Sequence, residues 1–222
     1  MKSLALIVPT RGRPHNIKEL AKSLEETNST QTDLILVLDS DDPKLREYLS
    51  LDITSIVYPR TGKGMAKPLN RASYDLRKEY KYFAFMGDDH RPRTLDWDSQ
   101  FIDELDRLGT GLVYGNDLHQ GERLPTAVAM TGNIVRVLGG MVPPGMIHLY
   151  LDNFWLKLGQ DLKAITYLPD TIIEHCHPVW GTAKIDAGYQ EVNAPEIYSA
   201  DKIAFESYIN SQDYQDLLAK LR

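Results

Sequence analysis

The regular alternation of apolar runs with helical patterns is the feature that most restricts the fold of this chain. Four short runs are almost continuously apolar: LALIV (4–8), DLILVL (33–38), TSIVY (54–58) and KYFAFM (81–86). The segments between them place apolar residues three and four positions apart, as in NIKELAKSLEE (16–26). Apolar strands separated by helices predict a mostly parallel sheet that is covered by helices on both faces. The expected fold class is therefore α/β.

The composition indicates one domain in the cytoplasm. A chain of 222 residues with 42% hydrophobic content can bury one sizeable core, and no repeat or linker divides it. The formal charge of −6 argues against a general electrostatic hold on nucleic acid or anionic membranes. Cys176 is the only cysteine, so an internal disulfide is excluded. The first apolar run ends at Pro9, too short for a signal peptide or a membrane span.

Charged or glycine-rich residues follow each of the four predicted strands. The tips read PTRGRP, DSDD, PRTGKG and GDDHRP. Ligands of such sheets bind at the carboxyl ends of the strands, so the tips predict one shared site. Asp88 and Asp89 directly follow an apolar strand, where carboxylates are costly unless a positive group meets them. A divalent cation held against a diphosphate meets this need, and an Asx turn is the alternative.

The second half is less regular, and its clearest chemical signal is the segment IIEHCHP. The predicted strands AITYL and TIIEH lie here, after the loop MVPPGM. We interpret this loop as an acceptor-side lid, and an ordinary irregular connection is the alternative. Strand alternation puts His175 and His177 on one face, which indicates a metal site. Two histidines at an exposed strand end are the alternative, and the lack of a Cys-x-x-Cys pair argues against structural zinc. His90 is expected to form a surface salt bridge, and an Asp-x-His metal-ligand pair with Asp88 is the alternative.

Five motifs follow one another in a fixed order along the chain. They are LIVPTRGRP, VLDSDD, GKGMAKPLN, MGDDH, and GNIVRVLGG followed by YLDNFW. In order and spacing, over roughly residues 4 to 180, they resemble the signatures of family 2 glycosyltransferases of the GT-A fold. The forms GDDHRPRT and EHCHP are also similar to small glycosyltransferases encoded by bacteriophages, which would act in the host cytoplasm.

The resemblance implies a single GT-A-like catalytic domain with a Rossmann-like sheet and C-terminal helices. Its implied parts are a nucleotide-sugar-binding half (1–92), an acceptor and metal half (93–190) and the C-terminal helices (191–222). The implied reaction transfers a sugar from a nucleoside diphosphate sugar to a hydroxyl acceptor, with inversion and usually with a divalent metal. The terminal helices are expected to pack against the domain or against a second copy of the chain.

The resemblance also implies which residues bind the metal. Asp89 maps to the aspartate that binds the ion, and Asp88 maps to the ribose or second-ligand role. Gly87 stands where the family usually has its first aspartate. The family often adds a late histidine, here either His175 or His177, and an imidazole ligand favours Mn²⁺ over Mg²⁺.

Asp152 maps to the catalytic aspartate of the family. An inverting transfer needs a general base that removes the proton of the acceptor hydroxyl as its oxygen attacks, and a carboxylate suffices. Capping of the helix NFWLKLG is an alternative role for Asp152, because Asp is a good N-cap.

Donor binding is predicted mainly at the tips of the first two strands. The predicted residues are Pro9, Thr10, Arg11, Arg13, Asp39, Lys63 and Asp88. Arginines suit phosphate or a nucleobase face, and Asp39 maps to the aspartate that accepts the imide N–H of uracil or guanine, with a UDP-sugar favoured. Lys63 lies in a flexible glycine-containing loop that lacks P-loop spacing but is able to close near the diphosphate; a hairpin-like connection with a surface lysine is the alternative.

Two other function classes stay open from the sequence. A sugar-phosphate nucleotidyltransferase has a similar fold but normally carries a Gly-rich loop after the first strand, whereas PTRGRP has one glycine. A nucleotide-sugar-binding protein without turnover is the other. The acceptor is open among protein, glycan, lipid and modified nucleic acid.

Overall fold

An eight-stranded sheet forms the centre of the computed structural model, which describes residues 2–176 and 187–222. The strands are β1 (Lys2–Thr10), β2 (Thr32–Asp39), β3 (Ser55–Tyr58), β4 (Tyr80–Phe85), β5 (His90–Pro92), β6 (Leu112–Asn116), β7 (Val128–Thr131) and β8 (Ile165–His175). Their order across the sheet is β3-β2-β1-β4-β7-β6-β8-β5. The predicted α/β class is confirmed.

The two halves of the sheet differ in strand direction. β1 pairs in parallel with β2 and β4, and β2 pairs in parallel with β3, as the sequence predicts. β7 runs antiparallel to both β4 and β6, and β5 runs antiparallel to β8. β8 is parallel to β6. The sheet is therefore mixed, and its parallel part coincides with the regular first half of the sequence.

Nine α-helices lie within the described part of the chain. They are α1 (Pro14–Thr27), α2 (Leu45–Leu49), α3 (Ala66–Leu76), α4 (Trp97–Leu108), α5 (Gly132–Leu138), α6 (Leu151–Leu162), α7 (Ala187–Val192), α8 (Pro195–Ile209) and α9 (Gln212–Leu221). α1 and α8 begin at proline. Proline suits the first turn because the backbone N–H groups there have no partner within the helix, so the N–H that proline lacks is not needed. Over residues 2–176 and 187–222, no helix is both long and apolar enough to cross a membrane.

The sheet separates two hydrophobic cores, because successive side chains of a strand point to opposite faces. In β1, Leu4 and Leu6 pack with α1 and α4, whereas Ala5 and Ile7 pack on the other face with α3, α5, α6 and α9. Buried apolar residues of α9 also join this second core: Tyr214, Leu217, Leu218 and Leu221. Each fully buried side chain of this size contributes about 1.5–3 kcal/mol. The last helix is therefore an integral part of the domain.

Two features of the second half of the chain differ from the sequence prediction. AITYL and TIIEH form one strand, β8, with a register shift opposite Gly115 and Asn116 instead of a break. The MVPPGM loop is part of the core, since Met141 and Met146 are buried. The carboxamide of Asn70 accepts the N–H of Met141 and donates to the carbonyl of Val142. A loop fixed in this way is not a lid.

Candidate active site

One cavity of about 760 Å³ opens where β1, β2 and β4 end. The predicted site residues that line it are Pro9, Thr10, Arg11, Arg13, Asp39, Asp88, Asp89, Asp152 and His175. Lys63 lies outside it, beside a neighbouring cavity of about 30 Å³. His177 falls outside the described residues. The fold thus brings nine residues from five separate parts of the chain to one cavity.

Asp88 is held by side chains that follow β1. The hydroxyl of Thr10 donates to its Oδ2 at 2.6 Å, and Asn16 Nδ2 donates to its Oδ1 at 3.0 Å. Arg13 Nη1 lies 3.5 Å from the same Oδ1. Burial, reinforced by the charge of Asp89, raises the pKa of Asp88 despite these partners. Both oxygens of Asp88 therefore already accept hydrogen bonds from the protein.

Tyr48 completes this network from α2. Because the Thr10 hydroxyl donates to Asp88, the Tyr48 hydroxyl donates to Thr10 at 3.0 Å. The same phenolic oxygen accepts the N–H of Arg13 at 2.6 Å. Tyr48 is fully buried. It fixes the loop between β1 and α1 against the tip of β4.

Arginines and carboxylates pair at the tips of β2 and β3. Arg11 Nη1 lies 3.2 Å from Asp39 Oδ2 and 2.7 Å from Asp41 Oδ1. Arg60 Nε lies 3.7 Å from Asp39, and Arg60 Nη2 lies 3.2 Å from Glu191 on α7. Burial raises the pKa of Asp39, and the two arginines partly offset that effect. Asp39, the candidate for recognition of the nucleobase, is thus an ion-paired carboxylate at the wall of the cavity.

His90 is buried, so the prediction of a surface salt bridge is wrong. It is 2% exposed and is the first residue of β5, which pairs with β8 so that His90 lies opposite His175. The two imidazole rings stack with centroids 4.2 Å apart and an interplanar angle of 12°. Asp89 Oδ1 lies 3.5 Å from His90 Nδ1 and 3.6 Å from His175 Nε2. The three side chains form a compact cluster.

The electrostatics of this cluster keep Asp89 ionised beside a neutral His90. Burial opposes ionisation of Asp89, but His175 and His90 outweigh it and hold the pKa of Asp89 well below its usual range. Burial and repulsion from His175 lower the pKa of His90 to about 4, so the ring is neutral at pH 7. His90 Nδ1 accepts the N–H of Gly87 at 3.0 Å, which places the proton on Nε2. That buried atom has no hydrogen-bond partner among the described residues.

These residues fit a divalent metal. Asp89, His90 and His175 each bring one ligand atom to within 4.8 Å of the other two. A carboxylate with imidazole ligands suits Mn²⁺ better than Mg²⁺, which prefers oxygen ligands. His90 would bind the ion through Nδ1, the nitrogen that lies 3.5 Å from Asp89 Oδ1, in place of the Gly87 N–H that it accepts.

Gly87 leaves the space in which Asp89 lies. A Cβ built at position 87 would lie 2.6 Å from Asp89 Oδ1 and 3.1 Å from His90 Nδ1. Any side chain there would displace one or both groups. Glycine at position 87 is therefore required by the packing of this cluster.

Asp152 lies in the first turn of α6, where its side chain lines the cavity. The residue that precedes the helix is Tyr150, so Asp152 is not the N-cap. Its Oδ1 accepts the N–H of Asn153 at 2.9 Å. Burial raises the pKa of Asp152, although that hydrogen bond and the charge of His175 act in the opposite direction. A carboxylate in this setting holds a proton more readily than a solvated one.

Sequence reasoning missed several residues that line or support the cavity. Arg60 lies in the PRTGKG tip, where the position after a strand was a usable signal. Asn16 and Tyr48 carried no such signal, because their contacts with Asp88 and Thr10 depend on how α1 and α2 pack.

No protein-family model matches this sequence, and no curated protein matches it. Solved structures do match. TarS from S. aureus (residues 1–349, in complex with UDP-GlcNAc) has a TM-score of 0.67 at 15% identity, covering 100% of this chain and 71% of that chain. In another TarS structure, the match covers 45% of the TarS chain.

Two further structures extend the likeness. The mannosyltransferase PcManGT from Pyrobaculum calidifontis, in complex with GDP-Man and Mn²⁺, has a TM-score of 0.57 at 14% identity, covering 97% of this chain and 78% of that chain. GalNAc-T7 with UDP, GalNAc and Mn²⁺ has a TM-score of 0.62 at 9% identity, covering 79% of this chain and 44% of that chain. At these identities the likeness concerns the fold, and this chain has the GT-A fold of glycosyltransferase structures.

Proposed function

We propose that this chain is a metal-dependent, inverting glycosyltransferase that moves a sugar from a nucleoside diphosphate sugar to an acceptor hydroxyl. The observation that carries the proposal is the composition of one cavity in a GT-A fold. It combines a cationic loop after β1, a carboxylate at the tip of β2, the Asp89–His90–His175 cluster and Asp152. Two of the similar structures contain Mn²⁺ together with a nucleotide or nucleotide sugar.

The charge of the cavity supports a metal requirement. Its lining includes the carboxylates of Asp39, Asp88, Asp89, Asp152 and Glu191 and the guanidinium groups of Arg11, Arg13 and Arg60. Each of these arginines already lies beside a carboxylate. A nucleoside diphosphate sugar carries two negative charges and would meet net negative charge, which repels it in a partly buried site. A bound divalent cation offsets this excess of negative charge.

Asp89, His90 and His175 are the residues that would hold the ion, Mn²⁺ or Mg²⁺. When bound, the ion offsets the negative charge that develops on the leaving diphosphate. His177 stays a predicted ligand. Asp88, whose oxygens accept from Thr10 and Asn16, supports the position of Asp89 from the adjacent backbone.

Donor orientation is assigned to the residues at the tips of β1 and β2. Arg11 and Arg13 supply guanidinium groups that suit phosphate or a nucleobase. Asp39 offers a carboxylate to the imide N–H of the base, and we favour a UDP-sugar. Pro9 and Thr10 line the same wall.

Asp152 is the proposed general base. As the acceptor oxygen attacks the anomeric carbon, the hydroxyl proton passes to the carboxylate of Asp152, and the bond to the diphosphate breaks on the opposite face. The raised pKa of Asp152 makes it a stronger base than a solvated aspartate, which favours proton transfer at neutral pH. The acceptor class stays open.

The test is a thermal-unfolding panel of UDP-, GDP- and TDP-sugars with and without Mn²⁺. A ligand at 100 times its dissociation constant stabilises the folded state by about 2.7 kcal/mol, which is readily measured. We expect one nucleotide class to stabilise the protein only with metal. The Asp89→Ala variant should lose this effect.

Asp41→Asn is the matched control. Asp41 is an exposed aspartate that pairs with Arg11 and does not line the large cavity. We expect this variant to keep the metal-dependent stabilisation. Stabilisation by nucleoside triphosphates alone, with release of pyrophosphate, would contradict the proposal and favour a nucleotidyltransferase. Tight donor binding without transfer to any acceptor or to water would favour a binding protein.

A further inference from the structure

A carboxylate from α8 binds the chain segment that leads to Asp152. Asp201 has no exposed surface. Its Oδ1 accepts the N–H of Ile147 at 2.6 Å, and its Oδ2 accepts the N–H groups of His148 at 2.9 Å and Leu149 at 2.7 Å. Successive backbone N–H groups that converge in this way form an anion-binding concavity. Asp201 fills that concavity with its own negative charge.

The bound segment forms part of the wall of the cavity. His148, Leu149 and Tyr150 line it, and α6 with Asp152 follows directly. Residues 147–149 belong to no helix or strand, so the bonds to Asp201 take the place of secondary-structure hydrogen bonds. Tyr150 has a φ of 61°, a left-handed conformation that persists only where the surroundings fix it.

The opposite side of the segment is held as well. The carbonyl of Ile147 accepts the N–H of Ala66 at 3.0 Å, at the start of α3. Gly64, with a φ of 76°, lies so close to that carbonyl that a Cβ would collide with it. The segment is therefore fixed between α3 and α8, with Asp201 as its charged contact.

We infer that Asp201 is a positioning residue for the proposed base. By fixing residues 147–149 it fixes the left-handed turn at Tyr150 and the first turn of α6, and thereby the orientation of Asp152 in the cavity. This inference rests on the proposed function. It gives the C-terminal helices a role in the reaction, whereas the sequence indicated only packing.

The first measurement is hydrogen exchange of the wild-type protein and of Asp201→Asn. We expect the amides of residues 147–149 to be protected in the wild type, although they lie outside regular structure. Asn keeps one carbonyl acceptor but turns its NH₂ group toward an N–H donor, so we expect exchange there to become at least about tenfold faster. Wild-type amides that exchange as fast as those of a free loop would overturn the inference, whether or not the variant folds.

Asp98→Asn is the matched control. Asp98 is also fully buried and accepts the N–H and the hydroxyl of Ser29 and the hydroxyl of Thr32, away from the cavity. This variant should lower the unfolding midpoint and speed exchange near residues 29–32, with residues 147–149 unchanged. Faster exchange of residues 147–149 in both variants would overturn a local role for Asp201.

The second measurement separates positioning from general stability through the kinetics of sugar transfer. We expect Asp201→Asn to lower kcat about 10- to 100-fold and to leave the donor KM within about twofold, because the donor residues lie on β1 and β2. Asp98→Asn should leave both constants unchanged. An unchanged kcat, or a donor KM that rises as kcat falls, overturns the inference. A wild type without transfer would refute the proposed function, while the exchange data would still report separately on the contacts of Asp201.

Discussion

The two walls of the cavity distribute their charges in opposite ways. The donor wall (Thr10, Arg11, Arg13, Asp39 and Arg60) consists mainly of cations and anions that are already paired with each other or with neighbours. The reaction wall (Asp89, His90, His175 and Asp152) has carboxylates and imidazoles but no lysine or arginine.

The difference shows what each wall can bind. Side chains whose charges are already paired keep a fixed arrangement. They can exchange a protein partner for a charged ligand at little electrostatic cost. Buried carboxylates and imidazoles with no lysine or arginine among them favour a cation, because desolvated negative charge is otherwise costly. The donor wall is therefore suited to recognition, and the reaction wall to binding a metal ion and accepting a proton.

The largest expected effect comes from Asp152→Asn, which removes the proposed base and leaves the donor wall intact. General-base catalysis contributes about 10²–10⁴-fold. We expect kcat for transfer to fall by that factor, whereas the affinity for donor and metal stays unchanged. The check is a comparison of steady-state transfer with calorimetric donor binding. A parallel loss of donor affinity would show that the two walls are not separate.

The pH dependence of kcat in the wild type is a second test of Asp152 as the general base. A base must be deprotonated, so kcat should rise with pH through the pKa of Asp152. Because burial raises that pKa, the rising limb should lie at a higher pH than a solvated aspartate would give. Asp152→Asn should abolish the limb. A limb at the position of an ordinary aspartate would contradict the assignment.

The next largest effect is expected from Gly87→Ala, which tests the geometry of the reaction wall. A methyl group there collides with the Asp89 carboxylate and the His90 ring. Displaced metal-binding groups typically lower metal affinity about 10- to 100-fold, and Mn²⁺ titration measures this.

Gly139→Ala is the matched control for that substitution. Gly139 has a φ of 82°, but a Cβ there meets no atom within 4 Å. Strain alone should lower stability by about 1 kcal/mol and leave Mn²⁺ affinity unchanged. Equal losses of Mn²⁺ affinity in both variants would show that general destabilisation, not the space near Asp89, governs the metal site.

Of the residues in the two walls, the sequence predicted all but Arg60 and His90 as site residues. Thr10, Asp39 and Asp88 each follow an apolar run of the parallel half, so their convergence needed only the rule that such strands end at one edge. His90 needed the antiparallel pairing of β5 with β8, which joins residues far apart in sequence.

Packing against distant parts of the chain determines two features that no local sequence pattern predicts. The MVPPGM loop looks exposed because of its prolines and glycine, yet Asn70 and the core hold it. Asp201 looks like one more polar residue of a surface helix, and only the path of residues 147–149 shows why it is buried. Local composition reports what a segment can do in isolation, whereas these contacts depend on distant partners.

A smaller effect is expected from Thr10→Val, which tests the donor wall. The change removes the hydroxyl that donates to Asp88 and leaves a similar volume. An acceptor that loses its partner in a buried site costs about 1–3 kcal/mol of stability, and we expect the donor KM to rise about tenfold.

Thr171→Val is the control, since the buried Thr171 donates to Gln100 away from the cavity. It should lose stability comparably, with the donor KM unchanged. Denaturant unfolding and steady-state kinetics measure both quantities. A donor KM that rises equally in both variants would contradict the role of Thr10.

The smallest effect is expected from Lys63→Ala, because Lys63 belongs to neither wall. Its side chain is 54% exposed and lies 3.7 Å from Glu191, outside the large cavity. Exposed pairs of this kind contribute about 0–1 kcal/mol, so we expect the donor KM to change by less than about threefold. Arg60→Gln is the comparison, since Arg60 lines the cavity and pairs with the same Glu191, and it should raise the donor KM more. A larger effect at Lys63 than at Arg60 would mean that the glycine-containing loop closes on the donor, as the sequence alone suggested, and would extend the donor wall to the loop after β3.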